Sequence, residues 1–242
     1  HLPVRVAAWQ ALAELDDSSM LPALARAAAQ GEPAERDAAR DTLTRLRGPG
    51  VDKAILTHIG HGAAPVKAEL LRALGERGDP GASDLLLQYA DTENEPVRLA
   101  ALGSLRKLAV ANTLTPLLNL AGKAKSNRER EPVIKAITAL CQASHDKDQV
   151  TRQVLDAMNR FPVAERHPLL QLLGELATPA ALSAVETASQ SSDTLLARES
   201  VRVLSQWPNA NAAPILLDLA RKNPDATFQL LALSGSIAVA EQ

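Results

Sequence analysis

Aromatic side chains are nearly missing from this sequence: Trp9, Tyr89, Phe161, Trp207 and Phe228 are the only five among 242 residues. Any core must therefore be built from Leu, Ala, Val and Ile, which suits closely packed helices better than a sheet rich in β-branched and aromatic residues. Cysteine is scarcer still. Cys141 stands alone, so no internal disulfide can form and no thiolate metal cluster can assemble. Net charge is small as well, at −2, and the chain as a whole carries no bias toward phosphate backbones or anionic lipid. Long apolar runs are also lacking: the longest weakly polar stretch, residues 228–240, falls far short of the ~20 residues of a membrane span. No basic region followed by an apolar run marks a signal peptide, and the chain begins at His1 already inside a helix pattern. We expect a soluble fragment of a longer protein, with its compartment undefined.

What the sequence does contain is a repeated amphipathic helix. In "NEPVRLAALGSLRKLA", residues 94–109, Val97, Ala101, Leu105 and Leu108 recur at helical spacing, and Pro96 sits in a first turn where its missing N–H has no intrahelical partner. Related stretches read "PVRVAAWQALAEL" from Pro3, "AERDAARDTLTRL" from Ala34, "PVKAELLRALGER" from Pro65, "EPVIKAITALCQA" from Glu131, "AERHPLLQLLGEL" from Ala164 and "LLARESVRVLSQW" from Leu195. Numbered from those first residues, position ten is leucine in every copy: Leu12, Leu43, Leu74, Leu105, Leu140, Leu173 and Leu204, separated by 31, 31, 31, 35, 33 and 31 residues. Between the copies lie other helical segments such as "SMLPALARAAA" and "NAAPILLDLARK", with Gly, Pro, Asn and Asp at the junctions, as in "RGPG" and "RGDPGAS". The unit is helix, turn, helix. One such pair cannot bury its apolar face alone, so neighbouring pairs must stack into a quasi-one-dimensional solenoid. Position nine is small in the early copies (Ala11, Thr42, Ala73, Ser104, Ala139) and then Leu172 and Val203, so packing is expected to loosen or tilt late in the array.

The run from Asp91 to Leu105, D-x-x-x-x-P-V-R-x-A-A-L-x-x-L, resembles the HEAT-repeat family, and "PVRVAAWQALAEL" resembles it again. The likeness extends from Pro3 to about Trp207, although copies two, five, six and seven lack Pro-Val-Arg. The resemblance implies an all-α, right-handed α-α superhelix (an α-solenoid) of about seven to eight helix pairs with a period near 31 residues. The second helix of each pair would line a concave surface that grips partners. The chain then reads as a single HEAT-like domain over 1–242, the first helix of its first repeat missing and residues 224–242 a degenerate terminal repeat. For that last segment, 204 plus 31 lands on Gly235, and Ser234, Gly235 and Ser236 should weaken a helix interior. Armadillo and tetratricopeptide repeats fit less well. The period leaves no room for a third helix, and the Trp-Leu-Gly-Tyr pattern is absent.

The family carries no catalytic residues, so none transfer, and no catalytic, cofactor or metal site is expected. A partner-binding ridge is expected at positions eight and twelve: Asp41, Arg45, Arg72, Glu76, Lys107, Gln142, Gln171, Glu175 and Arg202. Across these two positions four cations (Arg45, Arg72, Lys107, Arg202) balance four anions (Glu14, Asp41, Glu76, Glu175). A nucleic-acid groove needs a continuous positive stripe, usually with aromatics to stack bases, so a nucleic-acid partner is not expected. Arg5, Arg36, Lys67 and Arg98 share position three. The resemblance makes them an inter-repeat ladder, with Asp91 paired to Arg98, in preference to a phosphate-contacting stripe.

Other motifs read blandly. His58 and His61 in "THIGHG" lack the further ligands zinc requires and fit a helix end. His145, Asp146 and Asp148 make a polar turn with an N-cap, short of the oxygen ligands of a calcium loop. "SLRK" at residues 104–107 lacks the companion motifs of Ser-x-x-Lys chemistry. The insertion "GKAKSNRERE", residues 122–131, reads as a solvated loop or extended helix end in preference to a binding loop. Cys141 reads as a buried small hydrophobe.

The expected function is a noncatalytic protein-interaction scaffold, monomeric as a fragment of a bacterial protein, with a protein partner. The alternative is an accessory segment beside a catalytic domain elsewhere in the parent chain, including lyase-type proteins with HEAT-like arrays. Least favoured is nucleic-acid binding or DNA glycosylase chemistry, because Trp9 and Trp207 lie at opposite ends of the chain.

Overall fold

Alternating helices follow one another along the chain at the spacing of the leucine column. The computed structural model describes residues 1–14, 18–47 and 50–241. Leu15, which ends the first copy, and Gly48 and Pro49 of the "RGPG" junction lie outside the described residues. The α-helices are α1 (Leu2–Leu12), α2 (Leu21–Gln30), α3 (Pro33–Arg45), α4 (Val51–His61), α5 (Ala64–Arg77), α6 (Ser83–Ala90), α7 (Glu95–Leu108) and α8 (Leu114–Lys123). They continue as α9 (Asn127–Ala143), α10 (Lys147–Met158), α11 (His167–Leu176), α12 (Pro179–Ser189), α13 (Thr194–Ser205), α14 (Ala213–Lys222) and α15 (Ala226–Ala240). Odd-numbered helices carry the aligned copies and even-numbered ones the segments between. Among the described residues there is no strand.

Local chemistry explains the helix boundaries. Proline occupies the first turn of α1, α3, α5 and α7, where it costs no backbone hydrogen bond. Asn94, Asp193 and Asp225 accept the orphan amides of α7, α13 and α15, and Asp146 and Thr178 do so for α10 and α12. Helix α11 starts at His167, three residues later than the pattern from Ala164 predicts. Pro168 fixes its first turn, and a separate 3-10 turn, Val163–Glu165, precedes it. The insertion becomes helix: α9 begins at Asn127, four residues ahead of the aligned copy, which is about one extra turn, with Pro132 inside it.

The chain divides into two compact units, His1–Leu120 with Lys125–Ala139, and Ala121–Ala124 with Leu140–Gln242. In the first unit α1, α3, α5 and α7 pack in succession, with α2, α4 and α6 against the odd helices that follow them. In the second, α11, α13 and α15 pack in succession, with α10, α12 and α14 beside them. Each unit is thus an α-solenoid stack.

The leucine column is the spine of both units. Leu43, Leu74 and Leu105 are each 1% exposed, Leu140 2%, and Leu173 and Leu204 0%. Leu12, in the first helix, is only half-buried. Position nine meets the preceding odd helix: the Thr42 hydroxyl donates to the Trp9 carbonyl and the Ser104 hydroxyl to the Leu71 carbonyl, both at 2.8 Å. Position eleven faces the next position nine. A Cβ on Gly75 would lie 2.7 Å from the Ser104 Cα, and one on Gly174 would lie 2.7 Å from Val203 Cγ1.

Gly174 in α11 faces the bulk that Val203 brings to position nine of α13. One expectation changes here: the last repeat follows a different register. Ser205, at position eleven of α13, sits against Gly235, so Gly235 is position nine and buried Ser236 takes the leucine position, 32 residues after Leu204. Asp225 then caps α15 two residues ahead of position one, as Asn94 and Asp193 do for α7 and α13. Residues 234–236 lie within an unbroken helix because Gly235 permits that close approach.

Candidate functional site

In the first unit, positions eight and twelve of successive copies lie near one another, and their charges are largely engaged. Arg45 bonds Glu14 of the preceding copy at 3.0 Å and Asp41 of its own helix at 3.1 Å. Lys107 pairs with Glu76 one copy earlier, and Gln142 donates to Glu175 one copy later at 3.1 Å. Position twelve therefore alternates acid and base through Glu14, Arg45, Glu76 and Lys107, and partners meet across 31 residues of sequence. Arg72 turns inward to Glu69 at 2.5 Å, Arg202 pairs with Glu199, and Gln171 is exposed. Such half-exposed pairs contribute roughly 0–1 kcal/mol each.

Two clefts open along these positions in the first unit. One, of about 160 Å³, lies between α3 and α5 over Leu43 and Ala73, rimmed by Asp41, Arg72 and Glu76. The next, of about 190 Å³, lies between α5 and α7 over Leu99 and Ala100, rimmed by Arg72, Glu76 and Lys107. Arg72 and Glu76 belong to both.

The position-three cations have different surroundings. Arg5 bonds Glu35 at 3.0 Å and Glu32 at 3.2 Å, both in the following repeat. Arg98 donates to the Thr92 and Glu93 carbonyls of the turn before α7, and Lys67 to the Gly60 carbonyl. The Arg36 Nε is buried without a hydrogen-bond partner. Asp91 lies in the turn after α6, just ahead of those carbonyls.

Sequence reasoning missed the two buried carboxylates that bridge repeats. Glu69, 5% exposed, takes a two-pronged bond from Arg40 at 2.8 and 2.9 Å. Glu35, 8% exposed, accepts from Arg5 and from the Trp9 indole at 3.2 Å. The Arg5 guanidinium first, and then the Trp9 N–H, hold its carboxyl below the ordinary value of 4.5. The available signal was an acid at position two or five with an Arg about 30 residues earlier. Arg77 was missed too: it donates to the Leu46 carbonyl at 2.5 Å and to Asp52 at 2.7 Å, closing the end of α3.

His58 and His61 line a cleft of about 300 Å³ with Arg26, Val66 and Leu70, between α2, α4 and α5. The Nδ1 of His58 bonds the Ala54 carbonyl at 2.8 Å. Among the described residues no three His, Cys, Asp or Glu side chains converge as a metal site. Asp146 caps α10, and the Ser104 hydroxyl is buried on the Leu71 carbonyl. In the insertion, Arg128 reaches Glu95 at 2.9 Å and Lys135 reaches Glu131 at 2.6 Å. Cys141 is buried, and desolvation, reinforced by Glu175, pushes its thiol up to about 12. Among the described residues no helix is long and apolar enough to cross a membrane.

Helix pairs at a near-constant period, sealed by one leucine column, define a helical-repeat protein of the α-solenoid class. Residues 53–138, from α4 into α9, match the family model for HEAT repeats. No curated protein sequence matches this chain. Among solved structures it is similar to human deoxyhypusine hydroxylase in complex with glycerol, at 15% identity over 93% of this chain and 97% of that one, with a TM-score of 0.38. It is also similar to the complex of CpcE and CpcF of phycocyanin lyase from Nostoc sp. PCC7120, at 18% identity over 88% of this chain and 85% of that one, with a TM-score of 0.41. At those identities and scores neither protein's chemistry transfers to this chain.

Proposed function

We propose that this chain is a noncatalytic binding module that grips a segment of a protein partner along the ridge of positions eight and twelve. The observation that supports it is the pair of consecutive clefts over α3, α5 and α7, which join apolar lining at Leu43 and Ala73 or Leu99 and Ala100 to charged lining shared at Arg72 and Glu76. Packed helices stand roughly 8–10 Å apart, which a chain in the polyproline-II conformation covers in about three residues, bringing side chains i and i+3 to the same face. A bound segment therefore sets one side chain into each cleft at that interval and meets Arg72, Glu76 and Lys107 between them. A rim of alternating sign selects a partner of matching charge order, and the balance of charge offers nothing to a phosphate backbone.

The test is capture by the immobilised chain of proteins from the source organism, identified by mass spectrometry and then titrated in purified form. Arg72→Glu and Lys107→Glu should each weaken a genuine partner by about tenfold or more, and Lys53→Glu, on exposed α4 surface, should not. Unaltered affinity in both ridge variants, with melting temperatures near wild type, removes the ridge from the proposal.

A further inference from the structure

The cleft between α2, α4 and α5, at about 300 Å³, is larger than either ridge cleft and shares no lining residue with them. Pro22, Ala25, Val66 and Leu70 supply its apolar wall. Arg26, Gln30, His58 and His61 supply its polar groups. Sites for small molecules have this make-up: a mainly apolar lining from about 300 Å³ upward, with a few polar groups that fix orientation.

The charge in this cleft has one sign. Arg26 always carries its charge, and among the described residues no carboxylate lines the cleft. The acids of the surrounding helices are committed elsewhere. Helix α2 has none. Asp52 of α4 pairs with Arg77; on α5, Glu69 is held by Arg40 and Arg72, and Glu76 by Lys107. Glu32, just beyond α2, is held by Arg5. The basic groups of the cleft have no such partners. The Arg26 Nε reaches only the Pro22 carbonyl of its own helix, at 3.4 Å. The His58 Nδ1 faces the Ala54 carbonyl at 2.8 Å, and a carbonyl only accepts. That nitrogen therefore carries the ring proton, and Nε2 is left for a ligand.

A metal ion is a poor occupant, since two imidazoles beside a guanidinium offer too few ligands and the wrong charge. An inorganic anion would satisfy Arg26 and leave the apolar wall uncovered. A carboxylate on an apolar body meets both requirements, and a guanidinium matches a carboxylate with two parallel N–H donors. We propose that this cleft binds a small organic acid. Its carboxylate sits on Arg26 with His58 or His61, and its body lies against Ala25, Val66 and Leu70. The room suits about ten non-hydrogen atoms, taking the ~30 Å³ share of a water molecule in the liquid. The site is separate from the ridge, so Arg72→Glu and Lys107→Glu leave it unchanged and either reading can fail alone.

The probes are octanoate, which is about that size, its neutral analogue octanamide, and inorganic phosphate. Each is titrated into the isotopically labelled chain at neutral pH while the imidazole Cε1–H signals are followed by NMR. Octanoate should move the His58 and His61 signals to saturation, with a Kd of about 1 mM or tighter, and leave His145 and His167 in place. Octanamide and phosphate should bind at least about tenfold more weakly, because each lacks half of what the cleft recognises. Arg26→Gln and Gln30→Glu, both at exposed positions, should each weaken octanoate about tenfold with helical circular dichroism unchanged. Octanoate that fails to saturate His58 and His61 by about 10 mM overturns the proposal. So does octanamide that binds as tightly as octanoate, or a folded Arg26→Gln chain with wild-type affinity. An acetylated tripeptide ending in leucine that binds more tightly than octanoate overturns the assignment to a free acid.

Discussion

Position fourteen shows how a single residue can hold a conformation that its side chain resists. Gly78, Ala109 and Ala177 all stand there, and all three take the left-handed conformation that ends their helices, at φ +73°, +46° and +53°. Glycine adopts it freely, whereas an L-residue bears roughly 1–2 kcal/mol of crowding. Ala109→Gly and Ala177→Gly should each stabilise the protein by about 0.5–1 kcal/mol in urea titration, and Gly78→Ala should cost about as much. Neither alanine announces itself in the sequence, because alanine usually signals helix. Glu35 is a second residue whose environment decides its behaviour. Its folded carboxyl titrates below its unfolded value, so the stability it contributes is present above the ordinary Glu range and is lost as pH falls through the depressed value. The wild type should therefore exceed Glu35→Gln in stability at neutral pH, and the gap should narrow as a urea series is carried below pH 4.5. A gap that stays constant to low pH contradicts the Arg5 and Trp9 contacts as its source.

Helix against helix, the decisive feature is the exchange of bulk between position eleven and the next position nine. Gly75 and Gly174 look equivalent in sequence but face different obstacles. A Cβ at Gly75 meets the Ser104 main chain, whereas a Cβ at Gly174 meets only the tip of Val203. Both Gly75→Ala and Gly174→Ala should destabilise by about 1–3 kcal/mol through overpacking. Val203→Ala should recover most of the loss at Gly174, and Ser104→Gly should recover little at Gly75. Chemical denaturation of the singles and doubles checks this, and equal rescue at both sites would contradict the assigned geometry. Position nine read alone does not show what the bulk of Val203 meets. The compensating glycine sits two residues further on in the neighbouring helix, a pairing visible only once the helices are in contact. The same blindness hid Glu69, since an acid on a helix ordinarily faces water.

For the whole molecule, periodicity made the architecture legible. A leucine every 31 to 35 residues and turn residues between are local signals, and they specified the odd helices, most boundaries and the all-helical class. Where the column loses its leucine, as at Ser236, counting along the chain slipped by one residue, and only the Ser205–Gly235 contact restores it. The residues of positions eight and twelve can be counted off in the sequence, but the pairing of their charges across repeats cannot, because ion-pair partners depend on stacking geometry. Alanine scanning of the leucine column tests the stack most directly, with urea denaturation followed by circular dichroism. Alanine at Leu43, Leu74, Leu105, Leu140, Leu173 or Leu204 should each cost about 2–5 kcal/mol, and Leu12→Ala, at the half-buried start of the column, distinctly less. Losses under about 1 kcal/mol at two or more of the six buried leucines, the cost of a surface substitution, would contradict a stack sealed by that column.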